Sequence, residues 1–282
     1  MYVTLREVLA EARRLGMAIG AFNTHNLEMV PAIVRGAIAK NVPVIIQTSC
    51  GTANFVGHRN LVAVCRQMAD DHGVQVVLHL DHATDHDEIR KAIDAGYSSV
   101  MFDGSALPLK DNILGTLRVV EYANRAGVSV EAELGVIGGR EEGVDVHLDQ
   151  ARYTDPEVAA EFVETTGIDA LAVAIGTRHG SYQGKTEISF DRLEAIHQAV
   201  SLPLVVHGGT GVKDDDVSRL LALGIAKFNV GTELLVTWNR LSTELYSAHK
   251  VNTSNRNNVM PCLDAIQQIV ENKLDLFINR AV

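Results

Sequence analysis

Short apolar runs alternate with longer segments of helical periodicity along almost the whole chain. The runs are rich in Val and Ile, which favour strands, and the segments between them repeat apolar residues every three or four positions. Eight runs qualify as strands: 17–22, 43–48, 74–80, 98–102, 128–134, 170–175, 202–207 and 226–230. Nearly continuous apolar strands joined by helices predict a closed parallel barrel. An open, doubly wound sheet is the alternative, although it would not need eight such units.

The predicted helices fill the segments between the strands. They cover 26–40, 59–72, 87–95, 111–126, 155–166, 190–200 and 214–223, with one more from about 232 and a last one over about 258–279. Several end at glycine or asparagine directly before the next strand, as in "DAGYSSV", "RAGVSV" and "AKNVPV", which is the residue choice of a left-handed C-cap. We therefore expect one α/β domain over residues 1–282, a (β/α)8 TIM barrel with a C-terminal helical extension over about 232–282.

Composition limits the classes of function. A formal charge of −10 argues against a nucleic-acid-binding protein, which needs a basic face, but is compatible with an anionic substrate bound by local positive potential. Cys50, Cys65 and Cys262 form no CxxC pair, so we expect reduced thiols in a cytoplasmic protein. The first sixteen residues predict a charged amphipathic helix rather than a signal peptide. No apolar run approaches the ~20 residues of a membrane span.

Polar side chains follow the carboxyl ends of the predicted strands. In chain order they are Asn23, Ser49, Asp81 with His82, Asp103, Glu133, His179, His207 and Asn229. In a barrel of this type the active site is built at that rim, whereas the opposite rim serves stability. Polar loops alone would not be expected to place three histidines and three carboxylates on different strand ends. The pattern therefore predicts a catalytic centre.

The histidines at this rim suggest a metal. Three imidazoles, from His82, His179 and His207, with an open fourth position form a catalytic zinc site that polarises a substrate oxygen. Each histidine taken singly is better explained as a hydrogen-bonded structural residue, but their coincidence on one rim favours the metal. We expect His79 to pack inside its strand with a hydrogen bond, and His86 to be solvated at the start of the next helix.

Two glycine-rich turns follow the seventh and eighth predicted strands and open helices, "HGGTG" (207–211) and "NVGTE" (229–233). Glycine lets a phosphate approach the backbone, helix starts offer N–H donors, and these two loops are the usual phosphate site of such a barrel. One such turn is weak evidence, but two favour a phosphorylated substrate. The charged, glycine-hinged segment 133–146 is either a solvated loop or a mobile lid that carries a carboxylate over the substrate.

Taken together, these motifs are similar to those of the class II, zinc-dependent ketose-bisphosphate aldolases. The likeness covers almost the whole chain, in "AFNTHNLE", "HLDHATD", "SVMFDGS", "VSVEAELG", "GGREEG", "LAVAIGTRHGSYQG", "LPLVVHGGTG" and "KFNVGTEL". The first of these, with "EAELGVIGG" and "LAVAIGTRHG", is closest to the tagatose-1,6-bisphosphate branch. The turn "HGGTG" is more similar to the fructose-bisphosphate branch.

The resemblance implies a role for each rim residue. It implies one catalytic Zn²⁺ bound by the three histidines, and a secondary or resting metal position at Asp103 and Glu133. It makes Asp81 the acid–base group at the C4 hydroxyl and Glu141 the base for the carbon-bound proton of dihydroxyacetone phosphate. It also leaves room for a monovalent cation.

The resemblance further implies the residues that contact the substrate. The residues that match the site for dihydroxyacetone phosphate are Gly180, Gly208, Gly209, Thr210, Asn229, Val230, Gly231 and Thr232. Asn23 and Ser49 match positions near the reacting carbons. Arg256 matches an arginine that reaches the distal phosphate, sometimes in a neighbouring subunit. The proline and aromatic residue that accompany this arginine in the family are missing from "NTSNRNNVMPCLDA" (252–265), so recognition of the distal group departs from the pattern.

The resulting prediction is reversible aldol cleavage of a ketose 1,6-bisphosphate, with the tagatose substrate favoured, by a homodimer or homotetramer, either alone or with a non-catalytic partner subunit. The alternatives are a fructose-1,6-bisphosphate aldolase or an aldolase for a related ketose 1-phosphate with a different distal group. A non-catalytic barrel subunit that stabilises a catalytic partner should have lost ligands that this chain retains. A metal-dependent hydrolase should show an HxH pair on its first strand, and "AFNTHN" has none. Lys227 is the one lysine at a strand end that a Schiff-base mechanism would have available.

Overall fold

Eight parallel strands close into a barrel in the computed structural model, which describes residues 1–141, 144–147, 151–180, 187–248 and 253–278. The barrel strands are β1 (Ile19–Asn23), β2 (Val44–Thr48), β3 (Val76–Ala83), β4 (Ser99–Phe102), β5 (Ser129–Leu134), β8 (Ala170–Val173), β10 (Leu204–Val206) and β11 (Ile225–Val230). Each pairs with the next in this order, and β11 closes on β1 with Ala21 opposite Asn229. The predicted closed barrel is therefore confirmed, and the open sheet is excluded.

Three further strands form a small sheet beside the barrel. They are β6 (Gly138–Glu141), β7 (Val144–Val146) and β9 (Arg178–His179). Strand β6 pairs with β7 antiparallel and with β9 parallel. The prediction of one long loop after the fifth barrel strand is wrong for these residues. Strand β6 pairs with β9, about forty residues further along the chain, and local periodicity does not reveal a partner so distant.

Helices surround the barrel. They are α1 (Leu5–Leu15), α2 (Met29–Lys40), α3 (Cys50–Val56), α4 (His58–His72), α5 (His86–Ala95), α6 (Leu109–Ala126), α7 (Pro156–Thr166), α8 (Phe190–Ala199), α9 (Asp214–Ala222), α10 (Thr232–Ser247) and α11 (Asn255–Phe277). The sequence predicted all of them except the short α3. The left-handed C-caps are confirmed, for example at Asn41, Gly96 and Gly127. None of the helices in the described ranges is long and apolar enough to cross a membrane.

Helix α1 closes the end of the barrel where the strands begin. Leu5 and Leu9 of this helix are fully buried, and they join one apolar cluster with Ile19, Ile45 and Val77 from the barrel interior. Thr4 caps the helix by accepting from the Glu7 backbone N–H, while the Glu7 side chain accepts from the Thr4 backbone. A packed plug at this end leaves the opposite end, where the strands finish, as the open rim.

Helix α11 is the predicted extra C-terminal helix, and it packs on α2 and α10. The helix runs alongside α2, since Arg35 Nε donates to Gln267 Oε1 (3.1 Å) and Lys40 Nζ lies 2.6 Å from Asp275 Oδ2 further down. Because α2 begins after the carboxyl end of β1, the first turn of α11 also begins near the open rim. Gly36 allows this packing, since a Cβ there would lie 2.6 Å from a Val270 methyl group.

Candidate metal centre and active site

A bulge at the end of β3 turns two adjacent side chains into the same site. Leu80 pairs with Val100 of β4, but the next partners are Ala83 and Phe102, so β3 carries one residue more than β4 between them. The backbone of His82 has φ = 48°, in the left-handed region that non-glycine residues seldom adopt. Successive side chains of a regular strand point to opposite faces. The bulge removes that restriction, so Asp81 and His82 both face the open end of the barrel interior.

Three histidines from different parts of the rim converge. His82 comes from β3, His179 from β9, and His207 directly follows β10. One nitrogen of each lies within 4.8 Å of the others, and the ring centroids of His82 and His207 are 4.5 Å apart. A second group of potential ligands, His82 with Asp103 and Glu133, meets the same distance limit. The arrangement brings together all five residues that the sequence had singled out for metal binding.

Two of these rings are oriented by carboxylates. His82 Nδ1 lies 2.8 Å from Asp103 Oδ2, and Asp103 Oδ1 accepts from the backbone N–H and hydroxyl of Ser105. His207 Nε2 lies 2.8 Å from Glu131 Oε1. Pairing of one ring nitrogen with a carboxylate is the usual support of a metal-binding histidine, because it fixes the tautomer and the ring plane.

The nitrogens left over fit a metal ion. His82 Nε2 is buried and makes no hydrogen bond among the described residues, and His207 Nδ1 is buried 3.2 Å from Glu133 Oε2 without the geometry of a hydrogen bond. Buried polar atoms without a hydrogen bond are costly, and a cation between these two nitrogens would give both of them a partner. A set of imidazoles with nearby carboxylates suits a divalent metal such as Zn²⁺. The class of cofactor expected from the sequence is therefore compatible with this site.

The charges around the histidines also favour a cation. Burial alone would lower the pKa of His82, but the neighbouring carboxylates of Asp81, Asp103 and Glu133 outweigh burial and raise it well above its usual value. Burial and the adjacent His82 lower the pKa of His207, yet the hydrogen bond to Glu131 and the adjacent carboxylate of Glu133 raise the pKa to about 9. These carboxylates thus attract positive charge to the site, which protons or a metal can supply.

Asp81 is held by three side-chain amides. Asn23 Nδ2 and Gln47 Nε2 each donate to Asp81 Oδ2 at 3.1 Å, and Asn229 Nδ2 donates to Oδ1 at 3.2 Å. Gln47 Nε2 also donates to Asn23 Oδ1 at 2.8 Å. The carboxylate is only 3% exposed, so these bonds replace the water that an exposed carboxylate would bind. The arrangement fixes its direction while leaving it beside His82.

The backbone of Glu141 is connected to a histidine of the cluster through the small sheet. Gly139 pairs with His179, and a Cβ at Gly139, where φ is +112°, would lie 2.2 Å from the His179 carbonyl oxygen. Glu141 follows two residues later on β6, roughly 7 Å along the strand. The side chain of Glu141 lies outside what the structure describes, as do residues 142 and 143 of the predicted lid.

The predicted phosphate loops adjoin one another. Gly208 to Gly211 form a tight turn after β10, and Gly231 precedes the first residue of α10. Strands β10 and β11 are paired neighbours, so both sets of backbone N–H groups open at the same part of the rim. Only glycine fits at 208, where φ is +68° and a Cβ would lie 2.1 Å from the Arg178 carbonyl oxygen. Gly180, also with positive φ, follows β9 beside this turn.

Two predicted substrate contacts lie in less expected settings. Ser49 is the N-cap of α3, and its hydroxyl accepts from the Thr52 backbone N–H at 3.1 Å. Arg256 is exposed in the first turn of α11, in the outer layer of helices. The structure therefore places Ser49 at the rim in a capping role, and it does not bring Arg256 into the cluster of histidines.

Three residues of the site were missed by the sequence-based prediction. Gln47 and Glu131 were not predicted to belong to it, and Lys227 was not predicted to pair with Glu131. All three are fully buried. Each is a polar residue inside an apolar parallel strand, and that interruption is the sequence signal that could have identified them. The predicted role of His79 is confirmed, since its Nδ1 lies 2.7 Å from Ser99 Oγ in the core. The prediction for His86 is wrong in part.

His86 does begin α5, but it is half-buried rather than solvated. Its Nε2 lies 3.1 Å from the Gly115 carbonyl oxygen, and its ring centroid is 4.9 Å from that of Phe102. The ring therefore links α5 to α6 and β4. The helical position of a residue does not reveal such a contact when the partner lies on the next helix.

Comparison with known proteins identifies the family of the chain and agrees with its fold. Residues 3–280 match the family model described as fructose-bisphosphate aldolase class-II. Among solved structures, the YdjI aldolase from Escherichia coli K12 is 32% identical, with a TM-score of 0.86 over 98% of this chain and 97% of that one. A protein from Coccidioides immitis is 31% identical, with a TM-score of 0.86 over 97% and 95%. The fructose-bisphosphate aldolase of Campylobacter jejuni, at 23% identity and a TM-score of 0.79, shares the fold.

Proposed function

The chain belongs to the class II fructose-bisphosphate aldolase family, and on this premise we propose that it splits a ketose 1,6-bisphosphate into dihydroxyacetone phosphate and glyceraldehyde 3-phosphate. Members of this family are lyases that use a divalent metal to cleave a carbon–carbon bond of a phosphorylated sugar. The further proposals concern the metal, the roles of individual residues and the substrate. The observation that carries them is Asp81, a buried carboxylate fixed by three amides directly beside His82.

The proposed metal is one Zn²⁺ held by His82, His179 and His207. When bound, it would supply the positive charge that stabilises the enediolate left on the three-carbon fragment. Asp103 and Glu133 are proposed as a secondary position, and Asp103 also orients the ring of His82. A Schiff base on Lys227 is disfavoured, because this side chain is fully buried in mid-strand, with its Nζ 2.9 Å from Glu131 Oε2.

Asp81 is proposed to move the proton of the cleavage step. It accepts the proton of the C4 hydroxyl while the C3–C4 bond breaks, so that C4 becomes the aldehyde and the bonding electron pair remains on the C1–C3 fragment. The amides of Asn23, Gln47 and Asn229 keep the carboxylate directed for this transfer. In condensation, Asp81 returns the proton to the new hydroxyl.

Glu141 is proposed to complete the cycle by giving a proton to C3 of the enediolate, which yields dihydroxyacetone phosphate. In condensation it removes the same proton as a base. Its strand β6 is paired with β9, which carries His179, and this link supports the assignment. Closure of the following segment over the substrate would exclude water from the reactive enediolate.

The turn at Gly208–Gly211 and the start of α10 are proposed to bind the phosphate of the three-carbon fragment. Their backbone N–H groups offer donors to an anion, and the helix start adds a favourable dipole. This local potential lets a chain of net charge −10 hold a phosphorylated sugar. We further propose that the tagatose substrate is preferred, that the protein is cytoplasmic, and that it forms a homodimer or homotetramer.

A different distal group is the second candidate, and one observation favours it. A cavity of about 280 Å³ adjoins the rim, lined by His25, Gly51, Thr52, Phe55 and Leu235. Phe55 is 82% exposed, and neither arginine nor lysine is among these lining residues. A distal substituent less charged than phosphate would suit this lining. The reaction and the phosphate at C1 would be the same.

The decisive experiment measures kcat/KM for cleavage of tagatose 1,6-bisphosphate and fructose 1,6-bisphosphate by zinc-loaded protein. We expect cleavage of both and preference for the tagatose substrate. Preference for the fructose substrate would reverse the C4 assignment. Failure on both, with zinc bound and with a ketose 1-phosphate cleaved, would support the second candidate. Failure on all three would overturn the proposed function.

A further inference from the structure

A charged pair lies inside the barrel directly beneath the histidine cluster. Lys227 Nζ on β11 is 2.9 Å from Glu131 Oε2 on β5, and the other oxygen of Glu131 is 2.8 Å from His207 Nε2. All three side chains are fully buried. The imidazole of His79 also adjoins the pair, with its Nε2 3.7 Å from Glu131 Oε2. Neither Glu131 nor Lys227 belongs to the residues proposed to contact substrate.

The burial of this pair has a cost that packing does not explain. Two charges taken out of water lose more solvation than their attraction returns in many proteins, and apolar residues of similar volume are often at least as stabilising. The lower part of the same barrel interior is filled by apolar residues, among them Ile19, Ile45 and Val77. We therefore expect the pair to have a role other than filling space in the barrel.

His207 has two carboxylates that compete for its ring proton. Glu131 lies against Nε2 at 2.8 Å, and Glu133 Oε2 lies 3.2 Å from Nδ1. A neutral imidazole carries one proton. If that proton is on Nδ1, the N–H group donates to Glu133, and the nitrogen that faces the cluster cannot bind a metal. If it is on Nε2, the N–H group donates to Glu131, and the lone pair of Nδ1 is available for a metal. The balance between these two carboxylates decides whether His207 can be a ligand.

We propose that Glu131, held in place by Lys227, is a positioning residue that keeps the His207 proton on Nε2 and so presents Nδ1 to the metal. The inference rests on the proposed role of His207 as a ligand. Lys227 contributes by binding the second oxygen of Glu131, which fixes the first oxygen against His207. His82 has its own such partner, Asp103, but that carboxylate is nearer the rim and is held by Ser105.

The test compares two variants that separate charge balance from proton placement. In Glu131→Gln, the amide oxygen turns to the Lys227 ammonium and its NH₂ group faces Nε2, which drives the ring proton to Nδ1. We expect zinc affinity to fall about 10- to 100-fold, as for other losses of a histidine's supporting carboxylate, and the midpoint of urea unfolding to fall as well. The double variant Glu131→Leu/Lys227→Met removes both charges of the pair. The midpoint of urea unfolding should therefore recover, while zinc affinity stays low.

Zinc affinity is measured by competition with a chelator, and Asp169→Asn is the matched control. This variant removes a mostly buried carboxylate at the opposite end of the barrel, where Asp169 accepts from the Val130 N–H, without touching the histidines. It should bind zinc as tightly as wild type. Wild-type zinc affinity in the folded double variant would overturn the proposal, because Glu131 would then only balance Lys227.

A measurement on the unaltered protein covers the case in which the variants do not fold. In zinc-loaded protein with ¹⁵N-labelled histidine, the two ring nitrogens of His207 have different chemical shifts. We expect a protonated Nε2 and a metal-bound Nδ1; the reverse pattern would overturn the proposal. Protein that binds zinc but cleaves no sugar would contradict the proposed function and leave these readouts intact. Protein that binds no zinc would overturn both.

Discussion

The two halves of the barrel interior differ completely although the same strands build both. Along β3, Val77 belongs to the apolar plug that packs against α1, and His79 forms a hydrogen bond with Ser99 in the middle layer. Asp81, two residues further along, lies at the rim beside the histidine cluster. A step of two residues along one strand thus converts packing into chemistry. Substitutions in the lower half should therefore change stability with little effect on turnover, and substitutions in the upper half should do the opposite.

The largest effect is expected for His179→Ala in the upper half. It removes one of three imidazoles and should abolish both zinc binding and cleavage, while the fold is retained, because the small sheet pairs through the backbone. Metal content and kcat/KM measure the outcome. The control is His72→Ala, which removes an exposed histidine from the end of α4 and should change neither. An active, zinc-free His179→Ala protein would refute the metal assignment.

Asp81→Ala should separate metal binding from proton transfer. Zinc should remain bound, whereas kcat for carbon–carbon cleavage should fall by roughly 10²- to 10⁴-fold, the usual contribution of a general acid–base group. Asp85→Ala is a matched control, because Asp85 is exposed and caps α5 through the Asp87 N–H. Cleavage at the wild-type rate by Asp81→Ala would mean that another residue is the acid.

Leu9→Ala tests the lower half. The side chain is fully buried between α1 and the barrel, so its removal should lower the free energy of unfolding by about 2–5 kcal/mol. We expect kcat for the folded protein to stay within about twofold of wild type, since Leu9 packs at the end of the barrel opposite the rim. Leu15→Ala, on the exposed side of the same helix, should have little effect on either quantity. A large fall in kcat for Leu9→Ala would show that the two halves are coupled.

The smallest effect concerns pH and the metal-free protein. The pKa of His207 is raised to about 9 in the folded state, against about 6.5 when unfolded. A raised pKa stabilises the folded protein fully below the unfolded pKa, and this stability is lost as the pH rises towards 9. The urea midpoint of zinc-free protein should therefore fall across this window. Zinc replaces the proton, so zinc-loaded protein should show a smaller fall; equal slopes would contradict the assignment.

The sequence predicted the barrel because strand and helix periods are local and strong. It also predicted that Asp81 and the five candidate metal ligands meet at the rim, because the carboxyl ends of parallel strands all lie at one end of a barrel. It did not predict the bulge at His82, because a bulge is recognised only when the residues of β3 are matched with their partners on β4. Nor did it show that Glu131 and Lys227 meet, because their contact crosses the barrel between β5 and β11.

The pairing of β6 with β9 also sets a rule for changes in chain length. Faces alternate along a strand, so inserting one residue between Gly139 and Glu141 would move position 141 to the opposite face of the small sheet. Insertions that follow Val146 would leave that spacing unchanged. The segment thus has one stretch whose length is fixed by a hydrogen-bond ladder. We expect an engineered library with length variation after Val146 to retain active members, and one with variation between Gly139 and Glu141 to lose them.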